Sequence, residues 1–200
     1  MSTISAGCAS GLARTHEARG ASYVAAPICG RPEAVAGRLQ SHLLAGEADA
    51  KQRAGALLET VSRRLFDFGT QPDRANVAKI GFNFLIASAV EAMAESFTLV
   101  EKQGLDVHAF LEMVTGTAFG CPLYEGYGRI IAGHGWNDAG FTLALGLKDV
   151  RLAAQTAADC GARMRLGELL LERFEGALAH GLGEKDWTAV TAEVRAESGL

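Results

Sequence analysis

From Pro72 to Gln103 the chain reads as one uninterrupted helix, and a helix that long dictates what the rest can fold around it. Gly104 supplies the stop that glycine gives just past a helix C-terminus. Val77, Ile80, Phe82, Phe84, Leu85 and Ile86 are apolar on nearly every side, the pattern of a helix in a protein interior. Lys79 and Asn83 stand inside this stretch four residues apart, so an ammonium and an amide share one helical face, one turn from each other.

Two readings of Lys79 are open at this point. In the plain one, the four-carbon stem runs along apolar surface and lifts the ammonium into water, with Asn83 packing or capping nearby. In the functional one, the lysine points into a cleft, and desolvation lowers its pKa from about 10.4 toward the range of an acid/base catalyst. Its place near the helix N-terminus adds a weak push the same way.

Composition narrows the class. The chain has 200 residues, 48% of them hydrophobic, and a net charge of −4. That describes one large or two modest globular domains. The mild acidity, without basic runs, argues against a nucleic-acid surface. The apolar core of the long helix, Ile80 to Val90, is too short for a bilayer and contains Asn83 and Ser88. Cys8, Cys29, Cys121 and Cys160 are isolated, which suits a reduced cytoplasmic protein and supports no zinc or redox pair. His16-Glu17 opens like a zinc-protease motif, but no second histidine follows at the required spacing. Ser2 to Ser5 shows neither the basic nor the apolar region of a signal peptide.

The first seventy residues alternate between helix and strand. Ala6 to Arg19 and Ala48 to Arg64 read as helices, with a helical turn at Glu33 to Arg38. Ser22 to Ala26, Leu39 to Ala45 and Leu65 to Phe68 read as short strands, the first stopped by Pro27. Beyond Pro72 only helices are expected: Val107 to Val114 behind an Asp106 cap, Pro122 to Ala132, Leu143 to Cys160, Met164 to Ala179 and Asp186 to Glu197. The expected fold is an α/β partial nucleotide-binding (Rossmann) segment, 1–70, followed by an all-α domain, 71–200, joined by one long central helix.

Two further segments bear weight. Ile28-Cys29-Gly30-Arg31-Pro32 follows a strand, where glycine lets a backbone approach a ligand; it reads equally as a turn forced by its prolines and glycine. Lys148-Asp149 is either an exposed ion pair on a helix or a second cation for an anionic substrate or a cofactor phosphate. Gly126-Tyr-Gly128 and Gly133-His-Gly135 begin like a dinucleotide fingerprint, but neither completes it and neither follows a strand.

Taken in order, Ser2-Thr3-Ile4-Ser5, Ala26-Pro27-Ile28-Cys29-Gly30, Ala78-Lys79-Ile80-Gly81-Phe82-Asn83 and Phe141 to Asp149 resemble the β-hydroxyacid dehydrogenase family across essentially the whole chain. That family includes 3-hydroxyisobutyrate dehydrogenase and glyoxylate/succinic semialdehyde reductases. The resemblance implies hydride transfer between NAD or NADP and a small anionic hydroxyacid or semialdehyde. It implies Lys79 as catalytic acid/base, Asn83 as the residue that orients substrate, and the Cys29-Gly30 loop as holder of its carboxylate. It implies Thr3 and Lys148 as cofactor contacts, and a helical domain like the C-terminal one of 6-phosphogluconate dehydrogenase that serves a homodimer in the cytoplasm.

Two departures stand out. The family's substrate loop carries a serine followed by two glycines, whereas this chain has Cys29-Gly30-Arg31, a weaker hydrogen-bonding group beside an added charge. The chain also opens at the Ser-Thr-Ile-Ser segment, which in the family follows the glycine-rich loop. The first half of the cofactor domain, with its phosphate cradle, is therefore expected to lie outside it. The alternative to an oxidoreductase is a catalytically inactive helical dimerisation module without cofactor binding.

Overall fold

The computed structural model describes residues 2–200 and divides into two compact units. One comprises Met1–Asn83 with Gln155–Ala162, the other Phe84–Ala154 with Arg163–Leu200.

The first unit is built on a small sheet. Its centre is β3 (Ser41–Gly46), buried from His42 to Gly46, as a strand covered on both faces must be. On one side β1 (Val24–Ala25) and β2 (Ile28–Cys29) pair with it antiparallel, end to end; on the other, β4 (Arg64–Asp67) runs parallel. Pro27 explains why β1 and β2 are separate: it has no N–H to offer the ladder, though its carbonyl still accepts from Leu43 N at 3.1 Å. The segment Ile28-Cys29 is thus a strand rather than the turn that its prolines and glycine suggest. Gly46 ends β3 at φ 144°, with its Cα so close to Tyr23 that a Cβ would stand 2.7 Å from the Tyr23 carbonyl oxygen.

Helices frame this sheet. Helix α1 (Ala6–Glu17) starts at Ser5, whose hydroxyl accepts from Cys8 N at 3.1 Å, and buries Ala9 and Ala13 on one stripe. A short α2 (Pro32–Ala36) follows β2, and α3 (Ala48–Leu58) makes the crossover from β3 to β4. Lys51 of α3 pins the end of that crossover by donating to the Asp67 carboxylate, at 2.5 Å, and to the Gly69 carbonyl. A small core of Ala25, Leu43, Ala45 and Ala75 gathers Tyr23, Cys29 and Ala78 around it.

The second unit is all helix: α5 (Val107–Gly116), α6 (Pro122–Ala132), α8 (Arg165–Ala179) and α9 (Val190–Glu197), with most of α4 (Arg74–Lys102) and α7 (Leu143–Cys160). Ala87, Val90, Met93 and Phe97 of α4 meet Ile131 of α6, Leu143, Leu147 and Val150 of α7, and Leu170, Phe174 and Ala177 of α8. Trp187 sits among them edge-on to Tyr127, Phe141 and Phe174. Gly146 is where α7 touches this cluster: a Cβ there would lie 2.7 Å from Phe174 and 3.0 Å from Trp187. Asp186, wholly buried, accepts from the backbone N–H groups of Gly140, Phe141 and Thr188 and from the Thr188 hydroxyl.

At 29 residues, with a stretch of mean hydropathy 1.4, α4 is long and apolar enough to cross a bilayer by length and composition. That corrects the expectation of an apolar core too short to do so. Its buried stripe forms a protein core instead, and that stripe includes Glu91, 3% exposed and bonded to Arg173 of α8 at 2.8 Å. Nor is α4 buried all round: Val77, Phe82, Leu85 and Leu99 are exposed.

Candidate active site

Two of the expected site residues of the first unit lie near the start of α4. Lys79 and Asn83 are each only 7% exposed, and Lys79 Nζ donates to Asn83 Oδ1 at 2.7 Å. This lysine does not lift its charge into water; the helix spacing alone brings its partner within reach. Its ammonium also stands 4.9 Å from the centre of the Phe82 ring, within cation–π range.

Cys29 lies on β2 of the same unit. Burial pushes its thiol above the ordinary value, and the positive charge of Lys79 pulls it partly back. The Cys29 thiol thus senses the charge of Lys79, which is itself bonded to Asn83. Gly30 follows Cys29 as an exposed bend, and its missing side chain has a packing reason: a Cβ would lie 2.8 Å from the Gln40 Cβ. Arg31, half-buried, lies 3.9 Å from the Glu33 carboxylate.

Thr3 belongs to the same unit and is half-buried ahead of α1. Lys148 belongs to the second unit, on α7, where its ammonium meets the buried Asp149 carboxylate at 2.9 Å while its own side chain is 45% exposed. One residue the sequence reading passed over is Asn76, a turn before Lys79 and 1% exposed. The signal was present: Asn76, Lys79 and Asn83 stand at i, i+3 and i+7, a polar stripe in an apolar helix.

Such an arrangement can hold a proton. A buried ammonium with an amide oxygen as acceptor and a neighbouring thiol is suited to give a proton to, or take one from, an oxygen brought beside it. A dinucleotide also needs a cradle of backbone N–H groups for its diphosphate, and the starts of α2 and α3, which follow strands β2 and β3, do not fit that need. Helix α3 opens with Glu47 and Asp49, and α2 with Pro32 and Glu33, acids where an anion would sit. Among the described residues, no group of three or more His, Cys, Asp or Glu side chains could hold a metal ion.

Comparison with known proteins gives these residues a setting. Residues 74–194 match the family described as NAD-binding of NADP-dependent 3-hydroxyisobutyrate dehydrogenase. The uncharacterized oxidoreductase YfjR of Bacillus subtilis is 43% identical over 190 residues, covering 95% of this chain and 66% of that protein. The mitochondrial 3-hydroxyisobutyrate dehydrogenase of Drosophila melanogaster is 28% identical over 198 residues, covering 94% and 60%. The chain thus spans 60 to 66% of the length of these relatives. Among solved structures, a 3-hydroxyisobutyrate dehydrogenase of Mycobacterium tuberculosis with L-serine superposes at a TM-score of 0.84 with 26% identity, over 96% of this chain and 68% of that one. The Salmonella typhimurium 3-hydroxyisobutyrate dehydrogenase shares the fold at a TM-score of 0.88 and 23% identity, over 95% and 66%.

Proposed function

Because the chain belongs to the NAD-binding family of NADP-dependent 3-hydroxyisobutyrate dehydrogenase, we propose that it carries the proton-transfer part of an oxidoreductase acting on a small hydroxyacid or semialdehyde. The observation that carries this reading is the Lys79 ammonium, buried and held at 2.7 Å by Asn83. NAD or NADP, when bound, supplies or accepts the hydride at the substrate carbon. Lys79 Nζ gives its proton to the carbonyl oxygen as that oxygen gains charge, and takes the proton back from the alcohol in the reverse direction. Asn83 turns its carboxamide toward the same oxygen and sets its direction. Backbone N–H groups at Cys29 and Gly30 hold the substrate carboxylate. Thr3 and Lys148 contact the cofactor, the half-exposed Lys148 while paired with Asp149.

Residues 1–70 are read as the remaining part of the cofactor domain and 71–200 as a helical substrate and dimerisation domain. Exposed Leu99, Leu105, Met113 and Phe119 in the second unit support a homodimer, to be checked by sedimentation equilibrium. The reading places the enzyme in the cytoplasm, where its four free cysteines stay reduced. The test is reduction of glyoxylate and succinic semialdehyde at saturating NADH or NADPH, followed as loss of nicotinamide absorbance. Lys79→Ala should lower kcat by on the order of 10²-fold or more, the usual contribution of acid–base help. An unchanged kcat would leave Lys79 a structural residue.

A second reading has one observation behind it. The acids at the starts of α2 and α3 leave the diphosphate without a cradle there, which favours a helical association module that turns nothing over.

A further inference from the structure

We propose that Asn76 is a positioning residue, the second acceptor for the Lys79 ammonium, an inference that rests on Lys79 being the acid/base. Asn76, Lys79 and Asn83 fall within about 60° of arc on α4. All three are buried, and the Asn76 side-chain oxygen is enclosed with no hydrogen-bond partner. An enclosed amide oxygen without a donor is costly, so one kept beside a reactive group calls for an explanation.

The helix supplies one. Side chains at i and i+3 have Cβ atoms about 5–6 Å apart, within the span of a lysine stem. Helical side chains lean toward the N-terminus, which for Lys79 is toward Asn76. In the structure Nζ leans the other way, onto Asn83. An ammonium has three N–H donors and no acceptor. A second acceptor oxygen from Asn76 limits how the ammonium can turn and so helps to aim a proton at the substrate oxygen. When substrate engages the Asn83 carboxamide, Asn76 keeps the ammonium from swinging away. Asn76 thereby favours the charged form of Lys79, whose ammonium stands beside the Phe82 ring and whose charge the Cys29 thiol senses.

The test needs neither cofactor nor turnover. The chain is labelled with ¹³C at lysine Cε, and the titration of Lys79 is followed by NMR in the parent and in Asn76→Ala, Asn76→Asp and Asn83→Ala. Asn76→Ala should lower the Lys79 midpoint by about one pH unit, the scale expected for losing a hydrogen bond to a charged group. Asn76→Asp, nearly the same shape, should raise it by at least as much, a reversal that a purely structural disturbance would not produce. Should Asn83→Ala move the midpoint while both Asn76 variants leave it in place, the role of Asn76 is overturned. Should none of the three move it, the reading of the Lys79 site itself fails, and the proposal with it.

Discussion

Gly30 and Lys79 show how far a single position can be understood before its neighbours are known. The sequence suggests that Gly30 is there to let a ligand approach the backbone; the structure adds a packing reason, since Gln40 occupies the space a side chain would take. Gly30→Ala should therefore destabilise the first unit by about 1–3 kcal/mol, the usual cost of overpacking, measured as a lower urea midpoint. An alanine variant of full stability would contradict the packing role. At Lys79 spacing did better. Residues four apart on a helix must be neighbours, so the pair with Asn83 could be foreseen; whether the ammonium reached water could not, because that depends on what packs over it. Asn76 was visible by the same spacing rule. It went unread because an isolated asparagine in a helix ordinarily points to solvent, and only burial marks it as exceptional.

At the scale of elements, helix periodicity and caps were strong signals and strand boundaries weak ones. Asp106 does cap α5, its carboxylate accepting from His108 N at 2.8 Å, and α6 and α7 run over the expected residues. Strand β2 was hidden because Pro27 cuts one edge into two pieces of two residues, too short to show alternation. The apolar length of α4 misleads in another way. Its burial is one-sided, with Glu91 on the inner side, and hydropathy alone does not say which side is which. Glu91 gives the helix a pH signature. Burial holds its carboxyl above the ordinary 4.5, with the attraction of Arg173 only partly opposing this. The folded protein thus binds that proton more tightly than the unfolded chain. Stability contributed by Glu91 falls as pH rises from 4.5 through the raised folded value. Relative to the parent, Glu91→Gln should gain in melting temperature as pH rises from 4.5 toward neutrality. A difference that does not change with pH would mean that Glu91 ionises in the folded protein as it does in the unfolded chain.

For the whole molecule, family membership follows from the match over 74–194 and the shared fold, while the division of labour between the two units is part of the proposal. The order of short motifs along the chain was legible because four segments in sequence constrain a fold more than any one of them. The small sheet was legible only in outline, since its antiparallel edge depends on register and on Pro27 rather than on composition. The account assigns this chain the reacting end of a nicotinamide site without a diphosphate cradle at the starts of α2 or α3. Titration of the chain with NADH and NADPH, followed by fluorescence of the reduced nicotinamide, tests that assignment most directly. The account predicts saturable binding, weaker than the micromolar range that a full cradle provides. No saturable signal up to millimolar cofactor would contradict it and leave the helical association module as the function of this chain.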